Sequence, residues 1–182
     1  LEDGNYTNKQ TVVNNISRCN NIQMSKKILL NSAYGALANQ HFRYYSLEMA
    51  EGITTAGQLA IRWIDKSINT YINKLLNTED IDYVVASDTD SIYVTFERLV
   101  HQVFTDTDDA NSTTKIITFL DRISKDKIEP FINSSYKALH SYVNSYAQKM
   151  QMGREVIADK GIWTAKKRYI LNVYDSEGVK YK

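Results

Sequence analysis

One cysteine, one proline and three histidines stand out as scarce in this 182-residue chain, and each scarcity removes an option. Cys19 alone excludes an internal disulfide and a cysteine-rich zinc site, and it suits a reducing compartment. His41, His101 and His140 show no metal-ligand spacing. No stretch approaches the roughly twenty apolar residues that a membrane helix needs, and no charged n-region with an apolar h-region opens the chain. The expectation is a folded, soluble, intracellular protein with no membrane partner. Neither sign of charge is in excess: 22 Lys and Arg face 21 Asp and Glu, a formal +1 that argues neither for nor against a polyanionic partner. An initiator methionine is also missing from the first position, Leu1, so a piece of something longer is expected.

Apolar residues make up 43% of the chain, enough for a sizeable core in one domain or the joined parts of two. From about Val12 to Ala38, Ile16, Cys19, Ile22, Met24, Ile28, Leu30, Ala33 and Leu37 keep a loosely helical apolar face, uninterrupted by proline. Ser46 is a good N-cap, with Glu48 in the first turn, for a second helix to about Leu76, along which Gly57, Ile61, Ile64, Ile68, Tyr71 and Leu75 recur every three or four residues. Tyr83 Val84 Val85 Ala86 and Ile92 Tyr93 Val94 Thr95 Phe96 read as paired strands. A polar loop with Asp106, Asp108, Asp109 and Asn111 follows, and residues 114–146 are helical by period, with Pro130 a break or a fresh start. From Gln148 onward, Trp163, Ala165, Tyr169, Leu171 and Val173 alternate as strand does. The fold class these elements predict is α+β, with long helices packed on a mostly antiparallel sheet.

Three clusters carry chemistry. Asp88 and Asp90 flank Thr89, with Ser91 next; side chains alternate on extended backbone, so the two acids would point the same way. Such an oxygen pair suits magnesium, which takes one or two carboxylates and completes its shell with water and substrate phosphates. A turn rich in Asp, Thr and Ser is the plain alternative, weakened because the acids abut apolar strands where unpaired charge is costly. An EF-hand beginning at Asp88 is excluded: Ile92 stands where a third ligand is due, Tyr93 replaces the glycine and Leu99 the closing glutamate. The loop from Asp106 to Asn111 lacks that glycine as well. In the first helix, Lys27, Asn31 and Tyr34 lie at i, i+4 and i+7 on one face. Lys27 and Asn31 are spaced by roughly 6 Å of helix rise, the scale of a triphosphate tail, and Gly35 has value where a backbone or base pair must come close. On spacing alone an ordinary surface helix, with Tyr34 in the core, is the simpler reading. Lys166, Lys167, Arg168 and Tyr169 form the third cluster; on a strand, Lys167 and Tyr169 would share one face and Lys166 and Arg168 the other. A backbone-tracking nucleic-acid surface and a charge-protected edge strand both fit it.

Together and in this order, the clusters resemble the signature regions of family B DNA polymerases. Lys27 to Gly35 is similar to motif B, K-x-x-x-N-S-x-Y-G; Asp88 to Ser91 to motif C, D-T-D-S; and Lys166 to Tyr169 to the K-K-R-Y element. The text from Ala36 through Tyr45 most resembles the T-even type of tailed-bacteriophage replicative polymerase. The resemblance implies residues 1–40 as the C-terminal part of the fingers and 41–182 as part of the palm. It implies that Lys27 contacts the incoming dNTP and protonates departing pyrophosphate, that Asn31 holds the phosphates, and that Tyr34 and Gly35 border the nascent base pair. Asp90 would be a magnesium ligand and Asp88 an accessory acid beside two Mg2+ ions, with Ser91 near the primer end. Lys167 and Tyr169, supported by Lys166 and Arg168, would hold primer–template DNA. A sliding clamp would meet regions outside this chain, and a viral source would place the protein in host cytoplasm.

One departure is Ser87, where the family usually has glycine beside the acid. A D-x-D glycosyltransferase would explain Asp88 and Asp90 but not Lys27 to Gly35, and a non-catalytic nucleic-acid-binding module is the other alternative. The family's other metal-binding aspartate and its sugar-selecting tyrosine would come from sequence upstream of Leu1. The isolated 182-residue chain is therefore expected not to polymerise, and template-dependent primer extension by it would refute that.

Overall fold

The computed structural model describes residues 9–104 and 110–181 of the chain. The acidic loop expected around Asp106, Asp108 and Asp109 lies outside the described residues, and Asn111 already belongs to a helix. The chain divides into two compact units, Leu1–Ala56 and Gly57–Lys182.

In the first unit, α1 (Lys9–Leu37) is a helix with no buried residue. Its expected apolar face forms but is uncovered: Ile16, Ile22, Met24, Ile28 and Leu30 are all exposed. Tyr34 is likewise exposed rather than held in a core. A run of turns then leads to Ser46, whose Oγ accepts from the backbone N–H of Met49 at 3.3 Å and caps α2 (Leu47–Leu76), as its position predicts.

The core lies in the second unit. Ala60, Ile64, Ile68, Ile72 and Leu76 line one face of α2 at intervals of four, and they meet Tyr83, Val84, Ile128, Ile132, Tyr136 and Leu139. Ile64, Ile68 and Ile72 are withdrawn from water almost completely, each contributing about 1.5–3 kcal/mol of transfer free energy. Asn69 and Asn73, one turn apart on the same helix, hold the chain that enters β1 (Val84–Asp88). Asn69 Oδ1 accepts from the N–H of Tyr83 at 2.7 Å, while Asn73 donates to Ile81 O at 2.7 Å and accepts from Ile81 N–H at 3.2 Å. Two side-chain amides thereby satisfy backbone groups that would otherwise be buried without partners.

β1 pairs antiparallel with β2 (Ser91–Val94), and the register shifts past the exposed Val85. After α3 (Glu97–Val103), α4 (Ala110–Ile123) continues through a widened π turn, Ser124–Ile128, into α5 (Glu129–Val143). Pro130 is the physical cause consistent with that widening. Its ring crowds the carbonyl four residues back and it has no N–H to give, and Glu129 N–H bonds the Ser124 carbonyl five residues back. Pro130 is thus a fresh start inside a continuous helical run. The last part of the chain forms β3 (Val156–Ala165), β4 (Arg168–Ser176) and the short β5 (Val179–Lys180), in antiparallel order β3-β4-β5. The α+β class holds, but the described strands make two separate sheets instead of the single one expected.

Arg154, from the segment before β3, ties the second sheet to the helices. Its guanidinium donates to Asp121 on α4 and to Asp175 on β4, and its backbone N–H donates to Glu129 Oε1 at 3.0 Å. Lys125 also bonds Asp121 at 2.8 Å. These cations, Lys125 foremost, hold the Asp121 carboxyl below its ordinary value of 3.8 against the opposing effect of burial. A carboxyl depressed on folding contributes stability above its unfolded pKa and loses it as pH falls through the folded one. Asp121→Asn is therefore expected to be less stable than the parent at pH 7, with the gap closing below about pH 4. Denaturant midpoints taken across that range check this, and a gap constant down to pH 3 would remove Asp121 from the account.

Candidate active site

The acid pair sits at the tip of the β1–β2 hairpin. Asp88 is the last residue of β1 and pairs with Ser91, leaving Thr89 and Asp90 as a two-residue turn. This corrects the expectation of two acids alternating on extended strand. Thr89 has φ of 52°, and Asp90 N–H donates to Asp88 O at 2.6 Å, so a sharp turn and not strand pleat sets where the carboxylates stand. A β-branched residue in the left-handed region costs on the order of 1–3 kcal/mol and persists where its surroundings dictate it. Those surroundings are local: Thr89 Oγ1 donates to Asp88 Oδ1 at 2.9 Å, and Ser91 Oγ to Asp88 O at 3.2 Å. Asp90 is exposed, Asp88 is half-buried, and Ser87 is exposed where the family's motif usually has glycine. Buried Tyr136 on α5 has its pKa raised, first by burial and then by the Asp90 charge.

Two carboxylates supply hard oxygen donors that fit magnesium, which leaves most of its shell to water and phosphate. Among the described residues no three His, Cys, Asp or Glu cluster to hold a metal, so any further carboxylate is not supplied by them.

The basic cluster is also a hairpin tip. Ala165 pairs with Arg168, and Lys166 and Lys167 form the turn, with Lys167 at φ of 62°. The expected split, Lys167 with Tyr169 on one strand face and Lys166 with Arg168 on the other, is therefore wrong: Lys166 and Lys167 are not on a strand, and their turn breaks the alternation. All four are exposed, and Tyr169 lies opposite Trp163.

The structure brings these two tips into one unit through aromatic rings. Tyr93 on β2 meets Trp163 edge to face, with centroids 5.3 Å apart, and Tyr169 at 5.4 Å. Burial first, and then a hydrogen bond with Tyr169, push the Tyr93 phenol up to about 12, with Ser91 pulling the other way. Gly161 makes room for this group: a Cβ there would stand 2.6 Å from Trp163 Cη2 and 2.7 Å from Leu171 Cδ2. Tyr93, Gly161 and Arg154 were not singled out as site residues by sequence. The only available signal was the repeated spacing of aromatic residues on strands, which does not say which rings meet.

Lys27, Asn31, Tyr34 and Gly35 belong to the first unit. There the helix is continuous through them, all four are exposed, and a Cβ on Gly35 would meet nothing within 4 Å. The expected common helical face is thus present and open.

Comparison with known proteins settles the class. The profile of DNA polymerase family B matches residues 7–182, and this chain belongs to that family. It is 41% identical to the DNA-directed DNA polymerase of Enterobacteria phage T4 across 99% of its own length, and 41% identical to that of Escherichia phage RB69 across 87%. A DNA polymerase of Choristoneura biennis entomopoxvirus is 27% identical across 72% of the chain. The chain spans about a fifth of its phage relatives, 21% and 18% of their lengths. Membership removes the glycosyltransferase alternative for Asp88 and Asp90.

Gly161→Ala is expected to swing the Trp163 ring off its neighbours and destabilise the second unit by about 1–3 kcal/mol. Urea denaturation with near-UV circular dichroism checks both effects; an unaltered aromatic signal would show that the space is not required.

Proposed function

We propose that this chain is the catalytic palm, with the adjoining end of the fingers, of a DNA-templated DNA polymerase that joins a dNTP to a primer 3′-hydroxyl during replication. The division proposed is fingers up to residue 40 and palm from residue 41. What carries the reading is the acid turn: Asp88 and exposed Asp90 stand at a hairpin tip rooted in the core through Tyr83 and Val84. Family membership gives that geometry its chemistry.

Asp90 is a magnesium ligand, and Asp88, its backbone held by Ser91, is the accessory acid. When bound, two magnesium ions supply activation of the attacking hydroxyl and charge neutralisation of the pyrophosphate. Lys27 contacts the triphosphate and gives its proton to the departing pyrophosphate. Asn31 donates to phosphate oxygens from one turn further along the helix, and Tyr34 and Gly35 border the nascent pair. Lys166, Lys167, Arg168 and Tyr169 hold the primer–template duplex, the cations on phosphate and the ring on sugar or base. Host cytoplasm is the proposed site of action, on the strength of the phage relatives.

In the complete polymerase, Asp90→Asn is expected to lower single-turnover extension about a thousandfold, with primer–template affinity within about threefold of the parent. Unchanged extension would point to a binding module in place of a catalyst.

A further inference from the structure

No strand ladder joins the two sheets among the described residues, so another contact must set the acid tip against the basic tip. Arg154 holds the second sheet at Asp175, toward the end of β4 and away from the Lys166–Lys167 turn. Near the tips the connection is aromatic. Trp163 and Tyr169 are cross-strand partners with centroids 6.4 Å apart, and Tyr93 stands edge-on to both, at interplanar angles of 71° and 61°. Edge-to-face pairs are oriented by the ring quadrupole, so they specify an angle as well as a distance, at about 0.5–1.5 kcal/mol each. Tyr93 is also rigidly tied to the acids, because its strand partner is Ala86 and the next pairs along the ladder end at Asp88 and Ser91.

Resting on the polymerase reading above, we propose that Tyr93 is a positioning residue whose ring, held against Trp163 and Tyr169, keeps the acid turn aligned with the Lys166–Lys167 tip. The primer end gripped by one hairpin is thereby presented to the carboxylates of the other. Misplacement of reacting atoms by about 1 Å is enough to cost on the order of a hundredfold in rate, so a joint remote from the chemistry can govern it.

The test uses the complete polymerase with Tyr93→Ala and Tyr93→Phe, assayed by single-turnover extension over a dNTP series and by primer–template titration. Fluorotryptophan at position 163, its resonance assigned by loss in Trp163→Phe, reports on the joint without DNA. Tyr93→Ala is expected to lower the maximal rate about ten- to hundredfold, leave the half-saturating dNTP and the DNA Kd within about twofold, and shift the position-163 resonance. Tyr93→Phe keeps the ring and is expected to retain the rate within about threefold. A parental rate in Tyr93→Ala, or a loss matching a lowered folded fraction, overturns the proposal. An unmoved resonance overturns the joint by itself, whereas a parent enzyme that binds primer–template but never extends it overturns the polymerase reading, and this role with it.

Discussion

Ile64, Ile68 and Ile72 form a dry seam along α2, and the second unit is assembled on it. The seam takes Ile128, Ile132, Tyr136 and Leu139 from one side and Tyr83 with Val84 from the other. Tyr83 is 2% exposed and Asp88 is five residues further on, so the acid turn is the outer end of a short hairpin rooted in the core. Asn69 and Asn73 add direction to that root through backbone bonds that hydrophobic contact could not specify. The role proposed for these carboxylates needs them exposed and yet fixed, and a two-stranded hairpin rooted in a core meets both demands.

A different solution serves the second sheet. Much of its surface is exposed, and a charged group, Arg154, joins it to α4 through Asp121 while bonding Asp175 within it. A guanidinium can hold two carboxylates at once because its donors form a planar fork, which lets one side chain fasten elements with little apolar area to share. At the other end of the same sheet, rings replace charges. Gly161 leaves the space into which Trp163 settles, and Trp163 with Tyr169 offers Tyr93 its faces.

The long elements were legible because their signals are local and repeated. Ser46 as a cap, the hairpin around Asp88 and the strands after Gln148 follow from side-chain period and turn chemistry and are found in place. Of the stripe expected on α2, Ile64 and Ile68 are core, whereas Leu75 is exposed and Ala60, Ile72 and Leu76 complete the seam, because the buried face repeats every four residues. The turns were less legible. Lys166 and Lys167 lack the Gly or Asn that marks a tight hairpin, so a continuous strand was the natural reading. Thr89 hides in the same way, since a β-branched residue argues for strand while its φ of 52° makes the turn. The π turn before Pro130 leaves no trace in apolar period, because widening by one residue hardly shifts a helical stripe.

By itself the sequence determined the family, through an acid pair, a Lys–Asn helix face and a basic aromatic cluster in one order and spacing. It also determined the helices and strands that bear them, since period and capping act over a few residues. Tertiary structure alone decided that both clusters of the second unit stand on hairpin tips, that Arg154 joins sheet to helix, and that Tyr93 meets Trp163 and Tyr169. The last two outcomes depend on contacts between residues 21 to 76 positions apart, and no local periodicity encodes which distant side chains will meet.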